Sequence, residues 1–335
     1  MNSSCNCSID DFKRSVFPTV YLLIFILGIS GHFVSIWVFF SMWKRKRSLT
    51  SVNLFMVNLL VSDLMQVCSL PFRASYYLSH SHWPFGTVAC RLIGYIFYLN
   101  MYGSIYFLVA LNIMRYLALV QPYRFMRLQN CCSGPLVCFL IWLFVALASS
   151  PLLLTGSKGG AEKCLELVTS NTTVIGNLML INNASLTVGF LVPLALILWC
   201  STFVILRLLK PAPSRHTVKT SRKKACALVI ISMGFFLICF LPYHIMRTLF
   251  LYVEWNVAAR KGLENSCDFI QGVRKASVLT LCLCTANSCL DPILFFFVGE
   301  NFRTFFAKLL KRTKSQPDDK KRNQQRAELQ VLPSF

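Results

Sequence analysis

Residues 90–122 read CRLIGYIFYLNMYGSIYFLVALNIMRYLALVQP. Between Arg91 and Arg115 no side chain carries a formal charge. As a helix, Cys90 to Arg115 rises roughly 37 Å at about 1.5 Å per residue. That exceeds the roughly 30 Å of hydrocarbon in a bilayer, so a tilted helix sets Cys90 at one membrane face and Arg115 at the other. Asn100, Ser104 and Asn112 fall inside this stretch. Polar groups at that depth are costly unless they face protein or water. The stretch therefore predicts a central spanning helix with its polar side chains turned into a bundle.

Six more apolar spans surround it, at about 17–42, 52–78, 132–153, 174–209, 225–253 and 269–298. The predicted fold is an all-α membrane protein, a seven-transmembrane helix bundle over 17–298. Residues 299–312 contain ENFRTFFAKLLK, whose apolar face suits a short amphipathic helix in the membrane interface. Residues 1–16 read as a polar extracellular N-terminus, and 313–335 as a disordered cytoplasmic tail.

Composition agrees. Of 335 residues, 55% are hydrophobic and 14% charged, against about 25% charged in soluble domains. The net charge of +21 comes from Lys and Arg lying between spans and in the tail. The positive-inside rule accounts for that and sets the N-terminus outside and the C-terminus in the cytosol; no nucleic-acid partner is expected. Sequons at Asn2, Asn6 and Asn171 then lie on the outer side as glycosylation sites. No nucleophile–base set, Gly-rich phosphate loop or metal-ligand spacing points to an enzyme.

Five of the fifteen cysteines, Cys5, Cys7, Cys90, Cys164 and Cys267, fall on the outer, oxidising side. A Cys90–Cys164 bridge would pin the loop after the fourth span over the bundle. Cys267 is expected to pair with Cys7 or Cys5. Most of the others lie in apolar spans and read as small hydrophobes. Asp63, Asn100, Ser104, Asn287, Ser288 and Asp291 come from the second, third and seventh spans at similar depths. Two carboxylates there imply a hydrated pocket, a proton or a hard monovalent cation such as sodium. A hydrogen-bonded packing network without an ion is the alternative.

Several motifs now combine. Asn58-Leu-Leu-Val-Ser-Asp63, Cys90 with Cys164, Met114-Arg115-Tyr116, Phe240-Leu-Pro-Tyr243 and Asp291-Pro-Ile-Leu-Phe295 resemble, in order and spacing, the rhodopsin-family (class A) G-protein-coupled receptors. Within that family, Leu70-Pro-Phe-Arg-Ala-Ser-Tyr-Tyr77, Asn100-Met-Tyr-Gly-Ser-Ile-Tyr106 and Phe240-Leu-Pro-Tyr-His-Ile-Met-Arg247 resemble the cysteinyl leukotriene receptors. The resemblance implies a multi-pass plasma-membrane receptor for a cysteinyl leukotriene. It further implies coupling to a heterotrimeric G protein, of the Gq class with phospholipase C and calcium release, with arrestin and receptor kinases as further partners. Ser315 and Ser334 are candidate kinase sites in a tail poor in Ser and Thr.

The residues then take roles. Arg73, Arg247 and Lys275, with Arg274 beside the last, are basic groups near the outer ends of the second, sixth and seventh spans. Tyr77, Tyr98, Tyr102, Tyr243 and His244 stand at the same level, with Tyr76 alongside. No acid at that depth neutralises Arg73 or Arg247, and guanidinium groups fork onto carboxylates. Phe97, Met101, Val188, Phe190, Leu191 and Leu194 are expected to hold a lipid tail below them. Lys13 reads as a solvated charge near the lid.

At the other end Arg115, Phe240, Pro242, Pro292 and Phe295 form the expected activation switch, with Phe240 as the ligand-sensing toggle. Three departures stand out: Met114 precedes Arg115 where the family has an acid, Phe295 replaces a tyrosine, and His32 replaces an asparagine. His32 is expected near Asp63, paired with it. Two other readings stay open: a class A receptor for a nucleotide or another acidic lipid, and a seven-helix ion channel or transporter running through Asp63 and Asp291.

Overall fold

In the computed structural model, residues 7–46, 50–130, 133–151, 153, 164, 171–209, 216–259 and 267–298 are described. They are helical almost throughout, with no strand among them. Helix α1 spans Asp10–Lys46, α2 Ser51–Leu78, α3 Gly86–Val120, α4 Pro122–Asn130 and α5 Ser133–Ser149. Helix α6 runs Thr172–Leu209, α7 His216–Ala258, α8 Cys267–Thr285 and α9 Asn287–Val298. Among the described residues six helical stretches, α1, α2, α3, α6, α7 and α8 with α9, are long and apolar enough to cross a membrane; the short α4 and α5, bent by 79° at their break, make a seventh if taken as one span.

Helix α1 begins at Asp10, seven residues before the apolar span it was expected to match. Ser8 accepts from the backbone N–H of Asp10 through its side chain, and Asp10 and Asp11 occupy the first turn. Acids there complement the helix dipole, so a polar turn extends the apolar helix. The seventh span is two helices, α8 and α9, broken at Ala286. The expected interfacial helix at 299–312, Asn2, Asn6, Cys5, Ser315 and Ser334 lie outside the described residues.

Helix α3 is the axis. Buried residues occur around its circumference, from Cys90, Ile93 and Phe97 to Ala110, Leu111 and Met114. Phe97, Met101, Ile105 and Leu108 pack in one core with Phe190 and Ile197 of α6, Phe236 and Phe240 of α7, and Phe295 of α9. A second core joins Phe17 and Tyr21 of α1 to Leu70 and Tyr77 of α2 and to Trp83. Two disulfides, Cys90–Cys164 and Cys7–Cys267, mark that end of the bundle. The second closes the choice left open between Cys5 and Cys7. Of the span cysteines, Cys138, Cys200, Cys239, Cys282 and Cys284 are buried, whereas Cys68 is exposed on the bundle's outer surface.

Helix α6 contains a π-turn at Thr187–Leu191, in which the Val192 N–H reaches the Thr187 carbonyl. Pro193 follows directly and has no N–H to give, which leaves a carbonyl one turn back unpaired. The wider turn accommodates that break without ending the helix. Tyr106 of α3 donates its hydroxyl to the Val188 carbonyl at 2.9 Å, so α3 covers the irregular turn.

Candidate functional site

At the disulfide end, Arg73 is 5% exposed. Its Nη2 donates to the Ile93 carbonyl at 2.9 Å and its guanidinium lies 5.0 Å from the Phe97 ring centre. Its Nε is buried with no hydrogen-bond partner among the described residues. Tyr21 of α1 stands beside it; the sequence reading missed Tyr21, because α1 carries no motif that marks it. Arg247, half-buried on α7, is surrounded by Tyr98, Tyr102 and Tyr243. Phe97 ties the two arginines together: it lies under Arg73 and meets Tyr243 edge-on, 6.0 Å between centres. Tyr98 stacks with Tyr102 at 6.4 Å, and Tyr102 is 6.2 Å from His244.

Neither Arg73 nor Arg247 has a carboxylate within ion-pair distance among the described residues. Arg274 differs. Its Nε and Nη2 donate to the two Glu254 oxygens at 2.7 and 2.9 Å, and Nη1 donates to the Cys7 carbonyl at 2.9 Å. Buried or half-buried cations need a counter-charge. Among the described residues Arg274 has one, and Arg73 and Arg247 do not.

Several expected members of the cluster go elsewhere. Lys275 is exposed and its ammonium lies 5.9 Å from the Phe12 ring of α1; one residue past Arg274 is a turn of about 100° around the helix, which directs it away from α7. Tyr77 stacks on Phe17 at 4.4 Å inside the α1–α2 core, not with the Tyr98 group. Val188 and Leu191 are each 46% exposed and Phe190 is fully buried, so the π-turn turns two of the expected tail-holding residues to the bundle's outer surface. Lys13 pairs with Asp10 at 3.4 Å. Asn171 is exposed and its Oδ1 accepts from the N–H groups of Thr173 and Val174, capping α6.

Halfway along the bundle the six expected polar residues meet. Asn100 Nδ2 donates to Asp63 Oδ1 and to Ser62 Oγ, both at 3.1 Å, and lies 3.5 Å from Ser104 Oγ. Ser288 donates to Asn100 Oδ1 at 3.3 Å, and Asn287 to Asp291 Oδ2 at 3.2 Å. Both carboxyls are fully buried and within hydrogen-bonding reach of one another. Among the described residues, Asp63 Oδ2 and Asp291 Oδ1 accept from no donor. Paired oxygens with hydroxyl and amide neighbours fit a proton or a hard monovalent cation. Ser62, which precedes Asp63, was not anticipated.

His32 does not pair with Asp63. Its Nε2 is 2.7 Å from the Ser288 carbonyl oxygen, and its Nδ1 has no partner among the described residues. A carbonyl only accepts, so Nε2 carries the proton.

At the opposite end Arg115 donates from Nη1 to Ser232 Oγ of α7 at 2.9 Å, and Ser232 donates to the Val229 carbonyl at 3.1 Å. Sequence reading gave Arg115 no resting partner, since Met114 brings no acid; Ser232 lies 117 residues away with no motif around it. Between the two ends runs an aromatic file. His244 stacks on Phe190 at 4.6 Å, Phe190 on Phe236 at 5.6 Å, and Phe236 meets Phe240 at 5.4 Å. Pro242 lies in α7 and Pro292 in α9, and Phe295 packs edge-on against Phe39 at 5.9 Å.

The family model for the 7 transmembrane receptor (rhodopsin family) matches residues 34–295. Human cysteinyl leukotriene receptor 2 is 42% identical over 90% of this chain and 83% of its own length. Pig cysteinyl leukotriene receptor 1 is 36% identical over 90% of this chain and 86% of its own. The rat uracil nucleotide/cysteinyl leukotriene receptor is 36% identical over 89% and 84%. By these matches the chain belongs to the rhodopsin family of seven-transmembrane receptors, multi-pass membrane receptors and not enzymes.

Proposed function

We propose that this receptor detects cysteinyl leukotrienes at the plasma membrane. The observation that carries the reading is the contrast among its arginines: Arg274 is neutralised by Glu254, while Arg73 and Arg247 stand among aromatic rings with no acid beside them among the described residues. An anionic ligand supplies the missing charge through forked hydrogen bonds, and Phe97, Met101 and Tyr243 offer apolar surface to its hydrocarbon. Relatives named for cysteinyl leukotrienes support the same ligand class.

In this reading the disulfide end is extracellular, with Asn2, Asn6 and Asn171 as glycan acceptors. The Arg115 end faces the cytosol and opens to a heterotrimeric G protein, of the Gq class with phospholipase C activation and calcium release. Arrestin and receptor kinases follow activation. Ligand contact shifts a population between closed and open forms only by binding them unequally; the file from His244 to Phe240 is the packed element through which that difference would act. Asp63 and Asp291 hold a sodium ion that favours the closed form. The test is calcium mobilisation and radiolabelled leukotriene binding in cells expressing the full chain. Saturable binding that Arg247→Ala removes at matched surface expression supports the reading; calcium signals from uracil nucleotides and none from leukotrienes would support the second reading, which the rat relative's name favours.

A further inference from the structure

Gly189 sits buried in the π-turn of α6. A Cβ placed on it would stand 2.5 Å from the Tyr102 Cε1 and 2.8 Å from its Cδ1, far inside van der Waals contact. The Tyr102 ring thus occupies the space that a side chain at 189 would need. One turn along α3, Tyr106 bonds the neighbouring Val188 carbonyl at 2.9 Å. Residues four apart on a helix share a face, so the two tyrosines grip the π-turn together, one by its carbonyl and one by its bare backbone. Ser185, one turn back on α6, stands beside the Tyr102 side chain.

We infer that Gly189 is a positioning residue for the ligand site: its missing side chain lets the Tyr102 ring lie back against α6. A methyl group there drives the ring the other way, towards its ring neighbours Tyr98 and His244 and into the cluster around Arg247. Overpacking of this kind is not absorbed by a close-packed interior. Gly189 therefore sets the room left for a ligand without touching it. The consequence for ligand binding rests on the proposed function; the coupling of Gly189 to Tyr102 does not.

The test uses the full chain as wild type, Gly189→Ala, Tyr102→Ala and the double variant. In the ligand-free purified receptor, Gly189→Ala is expected to lower the thermal midpoint when Tyr102 is present and to leave it unchanged or raise it when the ring is gone. In membranes, Gly189→Ala is expected to weaken binding of a radiolabelled cysteinyl leukotriene roughly tenfold, and less than about twofold in the Tyr102→Ala background. An equal change of midpoint in both backgrounds would overturn the inference, as would unchanged leukotriene affinity in Gly189→Ala. If wild type itself binds no leukotriene, the ligand assignment fails, and the midpoint comparison still decides between a positioned ring and an independent effect on α6.

Discussion

His32 Nε2 stands 2.7 Å from the Ser288 carbonyl oxygen, and Pro292 lies four residues after Ser288 in the same helix. The relationship has a backbone cause. A proline inside a helix has no N–H for the carbonyl four residues earlier, so the chain itself leaves the Ser288 oxygen unpaired. An orphaned carbonyl in a buried setting is costly, and α1 crosses close enough to pair it. His32 thus links α1 to α9 beside the Asp63–Asp291 centre.

Removing that donor should cost about 1–3 kcal/mol, the range for a buried acceptor left unsatisfied. His32→Ala is expected to lower the thermal midpoint of the purified receptor. His32→Gln places an amide nitrogen at the reach of Nε2 and should recover most of the loss. His32→Asn, one carbon shorter, should recover less. Equal midpoints for the Gln and Ala variants would show that the bond to Ser288 contributes nothing.

Arg115 and Ser232 form the contact between α3 and α7 at the far end of the bundle. A hydrogen bond to a charged donor is typically worth about 1.5–3 kcal/mol. If it holds the closed form, Ser232→Ala should raise ligand-independent second-messenger output several-fold at matched surface expression, and Ser232→Thr should keep it near wild type. Output that does not change in Ser232→Ala would remove this contact from the switch.

The arginines should separate by their partners. Arg247→Ala is expected to weaken leukotriene binding roughly 10- to 100-fold, by loss of charge-assisted bonds. Arg247→Lys should lie between, since an ammonium lacks the forked geometry. Arg274→Ala should lower the thermal midpoint and change affinity less than about threefold, because Glu254 already neutralises that cation. A larger affinity loss for Arg274→Ala than for Arg247→Ala would reverse the assignment of the anion site.

For the buried acids, competition of an agonist against a labelled antagonist with and without sodium chloride, at constant ionic strength, tests the proposed cation. Sodium is expected to shift agonist affinity in wild type and to have no effect in Asp63→Asn or Asp291→Asn. A sodium effect surviving in both variants would place the ion elsewhere.

Read alone, the chain told that it crosses a membrane seven times, that Cys90 and Cys164 share one end with Cys267, and that six polar residues occupy one depth. Those features depend on distance along each helix, which the rise of about 1.5 Å per residue converts into depth within the hydrocarbon. What tertiary structure decided is which way each side chain faces and what it meets there. Arg274 and Lys275 are neighbours in sequence, yet one pairs with Glu254 and the other stands exposed over Phe12. His32 bonds a carbonyl freed by a proline 260 residues away, Arg115 finds Ser232, and Gly189 receives the Tyr102 ring. Each depends on the rotation of one helix about its axis against another, and on a π-turn that resets that rotation midway along α6. Hydropathy carries no phase between helices; only their packing supplies it.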